Sequence, residues 1–265
     1  MKILFSMLLI ICAIMGVRAQ DLQHKIKTLT LGDSVIHVAI DRPGDFYVVT
    51  TTGQIQRYDK DGKLTLSYQA ERIPTAFDPR DGARLFVYYR DDQHYEYLSP
   101  SFQPLTVSSI DPAFAIRPWL ICPSGEYKLW ILDNADESLK RINVKESEVE
   151  VEITVDSTLL GKATSVESMR EYQNFVFLLN PEKGIHIFNS LGRLIKTIDI
   201  AGIGRFNFLG EELYYLTKGK LEFFNLFSAE TRHLDIDPKY TDVLLTDERM
   251  ILFTPGRIDI FPFRP

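Results

Sequence analysis

The sequence of 265 residues predicts an all-β fold in which six four-stranded antiparallel sheets form a closed ring. Three observations support this prediction. One hairpin pattern recurs six times along the chain, at a spacing of about forty residues. Each copy leaves room for one strand before the hairpin and one strand after it. The last copy lacks its following strand, and a segment near the amino terminus has the pattern of the missing strand.

The first strand of each hairpin opens with a polar residue and continues with at least four apolar ones. Six segments follow this pattern: 45–50, 84–89, 128–133, 174–179, 212–217 and 249–254. Continuous runs of β-branched, aromatic and leucine side chains are typical of strands that are covered on both faces. We therefore expect these strands inside a stack of sheets.

The second strand of each hairpin ends in a residue that favours a turn. These strands are 54–59, 94–99, 138–143, 184–189, 220–225 and 257–262. Their second residue is apolar, their third is polar, and their sixth is Asp, Ser, Asn or Pro. Short Asp, Asn and Ser side chains accept hydrogen bonds from the backbone just ahead of them, and proline lacks a donor for the next ladder. Each sheet is therefore expected to turn at this position.

The remaining strands flank the hairpins. Preceding, innermost strands are predicted at 35–41, 74–78, 117–124, 164–171, 206–211 and 241–248, and following, outermost strands at 63–69, 104–109, 148–155, 193–200 and 229–236. Residues 24–31 match the pattern of residues 193–200. If residues 24–31 complete the last sheet, the ring closes and every sheet has two neighbours.

Six four-stranded sheets closed by the chain termini form a β-propeller. Over residues 23–265 the strand pattern resembles the six-bladed propellers, which include NHL-like, lactonase-like and scaffold members. The resemblance rests on the strand pattern alone, and the Gly-His and Trp-Asp marks of WD40 repeats are absent. A β-sandwich or a two-domain all-β protein is the alternative.

Residues 1–19 have the features of a cleaved signal peptide. Lys2 supplies a positive charge, residues 3–17 are apolar, and the small-residue pattern at Val17 and Ala19 predicts cleavage after Ala19. Ile11 before Cys12 does not fit a lipoprotein signal. Residues 20–265 contain no linker or low-complexity run, so we expect one domain, periplasmic or secreted, with no direct membrane insertion.

Charge and cysteine content limit both the function and the way in which the fold is stabilised. Cleavage after Ala19 leaves 28 of the 30 basic residues against 36 acidic ones, a formal charge of −8. This balance argues against nucleic-acid binding, which requires a basic face that neutralises phosphates. Cys122 is then the only cysteine, so no intramolecular disulfide can form and the apolar core must hold the fold.

No catalytic signature is found in the sequence. It contains no nucleophile elbow, zinc-protease motif, phosphate-binding loop or dinucleotide glycine pattern. Of the five histidines, only His37 falls on a predicted innermost strand. Cys122, also on an innermost strand, is interpreted as a small buried thiol because no histidine lies near it in the pattern.

The resemblance to lactonase-like propellers implies one alternative, a divalent cation such as calcium at the channel mouth. In those enzymes Glu, Asn and Asp from several blades converge on the metal. The matching positions here are Asp78, Glu167, Asn207 and Asp242, on or beside four innermost strands. The other interpretation is that short polar residues at strand ends simply start turns.

An acidic patch is predicted from equivalent connections of the second and third repeats. Its members are Asp91, Asp92, Asp133, Asp136 and Glu137. Neighbouring blades would place them on one face, as a solvated loop surface, a calcium site or a site for a basic partner segment. Phe114 lies in the connection 111–116 and is the candidate apolar anchor for a partner.

These observations favour a non-enzymatic interaction protein that needs no cofactor and binds another envelope protein or complex. Small exported propellers of this size resemble envelope-machinery subunits, such as scaffolds of outer-membrane assembly or the plug-like periplasmic subunit of the type 9 secretion translocon. The alternative function is a metal-dependent, lactonase-like or NHL-like hydrolase or lyase with its site at the central channel.

Overall fold

The computed structural model describes residues 24–265, which form six four-stranded antiparallel sheets arranged as a ring of blades. The predicted six-bladed β-propeller is therefore confirmed. The signal peptide predicted at residues 1–19 lies outside the described residues. Within residues 24–265, no helix combines the length and the hydropathy needed to cross a membrane.

Each blade is numbered in chain order and is given from its innermost to its outermost strand. Blade 1 contains β2 (Val35–Ile40), β3 (Phe46–Thr50), β4 (Gln54–Tyr58) and β5 (Leu64–Gln69). Blade 2 contains β6 (Ala76–Asp78), β7 (Leu85–Tyr89), β8 (His94–Leu98) and β9 (Pro104–Ser109). Blade 3 contains β10 (Pro118–Pro123), β11 (Lys128–Asp133), β12 (Ser138–Asn143) and β13 (Glu148–Thr154).

The second half of the ring follows the same order. Blade 4 contains β14 (Ser168–Tyr172), β15 (Phe175–Asn180), β16 (Gly184–Asn189) and β17 (Leu194–Ile198). Blade 5 contains β18 (Phe206–Leu209), β19 (Glu212–Thr217), β20 (Lys220–Asn225) and β21 (Thr231–Asp235). Blade 6 contains β22 (Asp242–Leu245), β23 (Arg249–Thr254), β24 (Arg257–Pro262) and β1 (Lys27–Thr30).

The ring closes as predicted, because the amino-terminal strand β1 is the outermost strand of blade 6. It pairs antiparallel with β24, with Lys27 opposite Ile260 and Thr30 opposite Arg257. Backbone hydrogen bonds extend the pairing beyond the strand, since the Leu31 N–H donates to the carbonyl oxygen of Gly256 at 2.9 Å. The two ends of the chain therefore share one sheet.

Side chains reinforce this closure around Asp259, which is completely buried on β24. Its carboxylate accepts hydrogen bonds from Thr28 Oγ1 at 2.6 Å and Tyr240 OH at 2.9 Å. Arg257 Nε donates at 3.0 Å, and Lys25 Nζ lies 3.1 Å away. Burial opposes ionisation of Asp259, but these donors outweigh it and lower its pKa to about 2. The ionised carboxylate thus ties Lys25 and Thr28 of the amino-terminal segment to the carboxy-terminal strands.

Among residues 24–265 the buried apolar side chains form six clusters, each lying between two neighbouring blades. The cluster between blades 3 and 4 contains Trp130 and Val176, and that between blades 5 and 6 contains Tyr214 and Met250. The second strand of every blade supplies buried side chains to the clusters on both of its faces, as its continuous apolar run predicts. Each blade is therefore stabilised by burial against two others.

Turns follow the second hairpin strands where the sequence predicts them. The Asn189 Oδ1 atom accepts hydrogen bonds from the backbone N–H groups of Leu191 at 3.0 Å and Arg193 at 2.9 Å. The equivalent side chains that accept from the backbone ahead are Asp59, Ser99, Asn143 and Asn225. These side chains fix the backbone of the turn at the edge of five blades.

Blade 4 differs from the prediction at its innermost strand, which begins at Ser168 rather than at residue 164. The short helix α1 (Ser157–Leu160) and a 3-10 turn (Ala163–Ser165) precede it. The Asp156 carboxylate accepts the Thr158 N–H at 2.8 Å and so starts α1. This local cap was not distinguished from an irregular loop in the sequence.

Gly184 gives the strongest test of the blade geometry. Its φ is +92°, and a Cβ atom there would lie 2.0 Å from the carbonyl oxygen of Ile198 on the neighbouring strand. We expect Gly184→Ala to lower the free energy of unfolding by about 2–3 kcal/mol, because both the backbone conformation and the overlap oppose the side chain. Urea unfolding followed by circular dichroism measures this change in the free energy of unfolding.

Gly256 provides the matched control for this substitution. Its φ is +77°, but no atom lies within 4 Å of the place that a Cβ atom would occupy. Gly256→Ala should therefore show the conformational penalty alone, about 1 kcal/mol. Equal effects of the two substitutions would show that the overlap between a Cβ atom at position 184 and the carbonyl oxygen of Ile198 does not destabilise the fold.

Candidate functional site

A cavity of about 1140 Å³ opens at one mouth of the central channel. All six blades line it with the turns that join their first and second strands, and we call it the funnel. Representative lining residues, one from each blade, are Asp41, Asp78, Pro123, Tyr172, Leu209 and Leu245. Its volume exceeds the roughly 300–1,000 Å³ typical of small-molecule sites. The funnel is therefore large enough to admit a segment of another protein.

Arg80 forms the floor of the funnel. It follows β6 of blade 2, and its Nε donates to Asp78 Oδ1 at 2.8 Å while Nη2 donates to the other carboxylate oxygen. Its Nη1 reaches across the channel and donates to the carbonyl oxygen of Glu171 on blade 4 at 2.5 Å. This guanidinium group thus joins two blades that are not neighbours.

The carboxylate of Asp78 is committed to this contact. Burial alone would raise its pKa, but the charge and hydrogen bonds of Arg80 lower the pKa well below its usual range. Asp78 is therefore ionised and neutralised by Arg80. Its oxygens are not free to bind a cation.

A second arginine, Arg170 on β14, lies near this floor. Its Nη1 donates to Asn207 Oδ1 at 2.8 Å, and its guanidinium lies 5.6 Å from the centre of the Phe208 ring. Burial and the neighbouring charge of Arg80 lower the pKa of Arg170 to about 10. Arg170 consequently keeps its positive charge at neutral pH.

The opposite end of the channel is braced in a similar way. Arg205 donates to a carboxylate oxygen of Asp242 and to the carbonyl oxygen of Ile36 on blade 1. Burial, followed by the charge of Arg205, lowers the pKa of His37 to about 4, so this imidazole is neutral at pH 7. Arginine side chains thus connect distant blades near both mouths.

The four predicted metal ligands are separated along the channel. Asp78 and Asn207 line the funnel, whereas Asp242 begins β22 and Glu167 precedes β14, towards the other mouth. Among residues 24–265, no three or more His, Cys, Asp or Glu side chains are grouped so as to hold a metal ion. The proposed oxygen donors do not converge.

The predicted acidic patch lies on the face opposite the funnel, in the turns between the second and third strands of blades 2 and 3. Two of its members bind backbone there. Asp133 is completely buried and accepts the N–H groups of Ile116 at 2.8 Å and Arg117 at 3.0 Å. Glu137 Oε2 accepts the N–H of Ala163 at 2.7 Å. Both carboxylates hold the connections between blades.

The other members of the patch differ in whether a basic side chain is paired with them. Asp92 accepts a hydrogen bond from Arg72 at 2.5 Å, and Asp136 accepts one from Lys140 at 2.6 Å. Asp91 is exposed. Most of the carboxylates on this face therefore already bind basic side chains or backbone N–H groups of the chain. The role of this face in partner binding stays a prediction.

The predicted apolar anchor, Phe114, is half-buried. It packs against the cluster between blades 2 and 3, near Ala115 and Ile121. Cys122 is buried as expected, and burial raises the pKa of its thiol, so the thiol is unreactive at neutral pH.

Sequence reasoning missed Arg80, Arg170 and Glu171, because it sought convergent acids. One signal was present. Arg170 and Glu171 are adjacent charged residues inside a predicted innermost strand, where an unpaired charge is unfavourable. In the structure Glu171 Oε2 accepts the indole N–H of Trp130 at 2.8 Å.

Exposed apolar side chains occur on the face into which the funnel opens, on turns of blades 3, 4 and 5. Leu191 is 72% exposed and Phe227 is 62% exposed. Tyr127 and Val144 are also exposed, and the Val144 N–H donates to the Tyr127 carbonyl oxygen at 2.9 Å. We call Tyr127, Val144, Leu191 and Phe227 the apolar rim. The backbone of Leu191 and Phe227 is held by Asn189 and Asn225, so both side chains are presented by ordered turns.

No protein-family model and no curated protein sequence matches the chain. Solved structures do match. Virginiamycin B lyase from Staphylococcus aureus has a TM-score of 0.61 at 10% identity, over 89% of this chain and 98% of that chain. BBS1N in complex with ARL6DN has a TM-score of 0.57 at 11% identity, over 91% and 96%. BamB from Moraxella catarrhalis has a TM-score of 0.50 at 10% identity, over 91% and 97%. At these identities the likeness supports the propeller fold alone.

Proposed function

We propose that this chain is an exported, non-enzymatic propeller that binds a protein partner on its funnel face, as a subunit of an envelope or secretion assembly. The apolar rim carries this proposal. Leu191 and Phe227 are large, mostly exposed and fixed in turns of adjacent blades. Large apolar side chains that ordered turns expose on one face are stabilised when a partner covers them.

A protein of similar fold also supports a binding function. BBS1N, a protein of similar fold, is in complex with ARL6DN, which agrees with a protein partner for this chain. The export part rests on the predicted signal peptide. Two specific versions of this role are proposed: a scaffold of outer-membrane assembly, or a plug-like subunit of the type 9 translocon.

The alternative, a metal-dependent hydrolase or lyase, finds less support in the channel. Two of the four predicted ligands, Asp78 and Asp242, form ion pairs with Arg80 and Arg205. A hard cation would have to displace these guanidinium groups before it could bind the carboxylates. The channel is therefore better explained as a braced support for a binding face.

The double substitution Leu191→Ser with Phe227→Ser tests the proposal. Each side chain would lose most of the roughly 1.5–3 kcal/mol that burial of such a side chain gives, so we expect partner recovery to fall at least about tenfold. The measurement is quantitative mass spectrometry of proteins that co-purify with the tagged chain from native envelopes in mild detergent.

Two matched variants identify the face that is used. Ile73→Ser with Leu159→Ser removes comparably exposed apolar side chains from the opposite face and should leave recovery unchanged. Asp91→Asn with Phe114→Ser tests the sequence-derived patch on that same opposite face. Recovery lost in either of these variants, and retained without Leu191 and Phe227, would reject the funnel face.

A further inference from the structure

We infer that the partner inserts a positively charged segment into the funnel, where Glu171 binds a lysine or arginine side chain. This inference rests on the proposed function and names the chemistry of the partner. It is carried by the charge balance of the funnel, by the setting of Glu171, and by the continuity between the funnel and the apolar rim.

The funnel is negatively charged after its internal pairs are taken into account. Four basic and seven acidic side chains line it. Three of the basic side chains are paired with acids, as Arg80 with Asp78, Arg84 with Asp81 and Lys60 with Glu248. The charged lining side chains outside these pairs are Arg42, Asp41, Glu126, Glu171 and Asp247. One cation thus faces four acids, and a cavity with such walls concentrates positive charge.

Asp41 contributes least to this negative charge. Its carboxylate accepts the Asp45 N–H at 2.9 Å and the Tyr47 hydroxyl at 3.1 Å, and burial raises its pKa. Glu126 and Asp247 are exposed at the edge of the funnel. Arg170, near the floor, adds one positive charge without reversing the balance.

Glu171 is the acid best placed to bind a ligand. It is half-buried on an innermost strand, and the indole of Trp130 holds its Oε2 at 2.8 Å. Among residues 24–265 this carboxylate forms no ion pair within 4 Å: Arg80 donates to the backbone carbonyl oxygen of Glu171 and acts on the carboxylate only through its charge, and Oε1 has no hydrogen-bond donor. A partly desolvated carboxylate with no cation bonded directly to it is stabilised when a partner supplies one. Because Trp130 already orients it, little side-chain entropy is lost on binding.

The surroundings favour a polypeptide segment as the source of this cation. The funnel is too large for a single small cation and opens on the face that carries Leu191 and Phe227. Glu126 and Tyr127 are adjacent in sequence, so the negative edge of the funnel continues into the apolar rim. A loop or tail with basic residues, flanked by apolar ones, would match both features.

Photo-crosslinking of the full chain in native envelopes tests the inference. A photoreactive benzoylphenylalanine replaces Pro43, which is exposed at the edge of the funnel, or Asp91 on the opposite face. Mass spectrometry then maps the linked segment of the partner. We expect a link from position 43 to a segment that contains lysine or arginine.

Charge dependence is tested in the same experiment. Glu171→Gln should lower the yield of the link from position 43 at least about tenfold, because it removes the charge but retains an oxygen that can accept from Trp130. Glu148→Gln, the same change at an exposed position of the outermost strand β13, should alter the yield less than about twofold. Equal melting temperatures of the two variants would show that the fold is intact.

The outcomes separate the inference from the proposed function. Linkage from position 43 to a segment without basic residues, or a yield that Glu171→Gln leaves unchanged, overturns the inference and leaves the interaction role standing. Linkage from position 91 alone rejects the funnel face. No protein linked at either position would overturn both.

Discussion

Replacing Arg80 by methionine is expected to lower the free energy of unfolding by about 3–5 kcal/mol, the range for removing one partner of a buried ion pair. The loss has two sources. Asp78, which is 13% exposed, would keep its place in the channel without a counter-ion. The hydrogen bond from Arg80 to Glu171, which ties blade 2 to blade 4, would also be lost.

Urea unfolding of the purified domain measures this effect. Arg42→Met is the matched control, since Arg42 is an exposed arginine at the edge of the same funnel, and its loss should change stability by less than about 0.5 kcal/mol. Asp78→Asn in the Arg80→Met background should restore part of the stability, because no buried carboxylate then remains unpaired. A loss below about 1 kcal/mol for Arg80→Met would show that the floor of the funnel does not brace the ring.

Replacing Asp259 by asparagine is expected to cost about 2–4 kcal/mol and to loosen the amino-terminal strand. The neutral amide would accept fewer of the hydrogen bonds that Thr28 and Tyr240 donate, and it would turn N–H groups towards Arg257. The ion pairs contribute less than these hydrogen bonds, because the Arg257 side chain is 44% exposed and is screened by solvent.

Two measurements identify the origin of this loss. Amide hydrogen exchange at residues 27–30 should accelerate more than exchange in the interior of blade 3, because Asp259 holds the outermost strand β1 through its hydrogen bond with Thr28. The control is Asp235→Asn, an exposed aspartate on the outermost strand of blade 5, which should change neither stability nor exchange. Uniform acceleration throughout the ring would contradict a specific role in closure.

The contribution of Asp259 should also depend on pH. Its pKa in the folded chain is about 2, below its ordinary value of 3.8, so the folded state favours the ionised form. The stabilisation is therefore complete above about pH 4 and is lost as the pH falls through about 2. The difference in stability between the native chain and Asp259→Asn should narrow over that interval, and a constant difference would contradict the assignment.

The order of strands and the closure of the ring could be predicted from the sequence because they depend on local patterns. Buried second strands show as apolar runs such as 174–179, and turns show as short polar side chains such as Asn189. Residues 24–31 reveal the closing strand because they repeat the pattern of an outermost strand. The short helix at Ser157–Leu160 was missed because one turn of helix has too few residues to show a period.

The candidate site could not be predicted from the strand pattern, because that pattern does not show which charged side chains of different blades meet. The sequence could place Asp78 and Asp133 at strand ends, but only the folded chain shows that Arg80 occupies the first and that backbone N–H groups surround the second. Long arginine side chains reach across the channel to other blades, so the charge that remains unpaired is decided by three-dimensional neighbours.

The sequence by itself therefore determined the six blades, their turns and the strand that closes them, because apolar runs and turn residues act over a few positions. Only the tertiary structure decided which acids are neutralised and which remain available, and it placed Glu171 and the apolar rim on the funnel face. The physical reason is that burial and pairing of a charge depend on groups from several blades that meet only when the ring is closed.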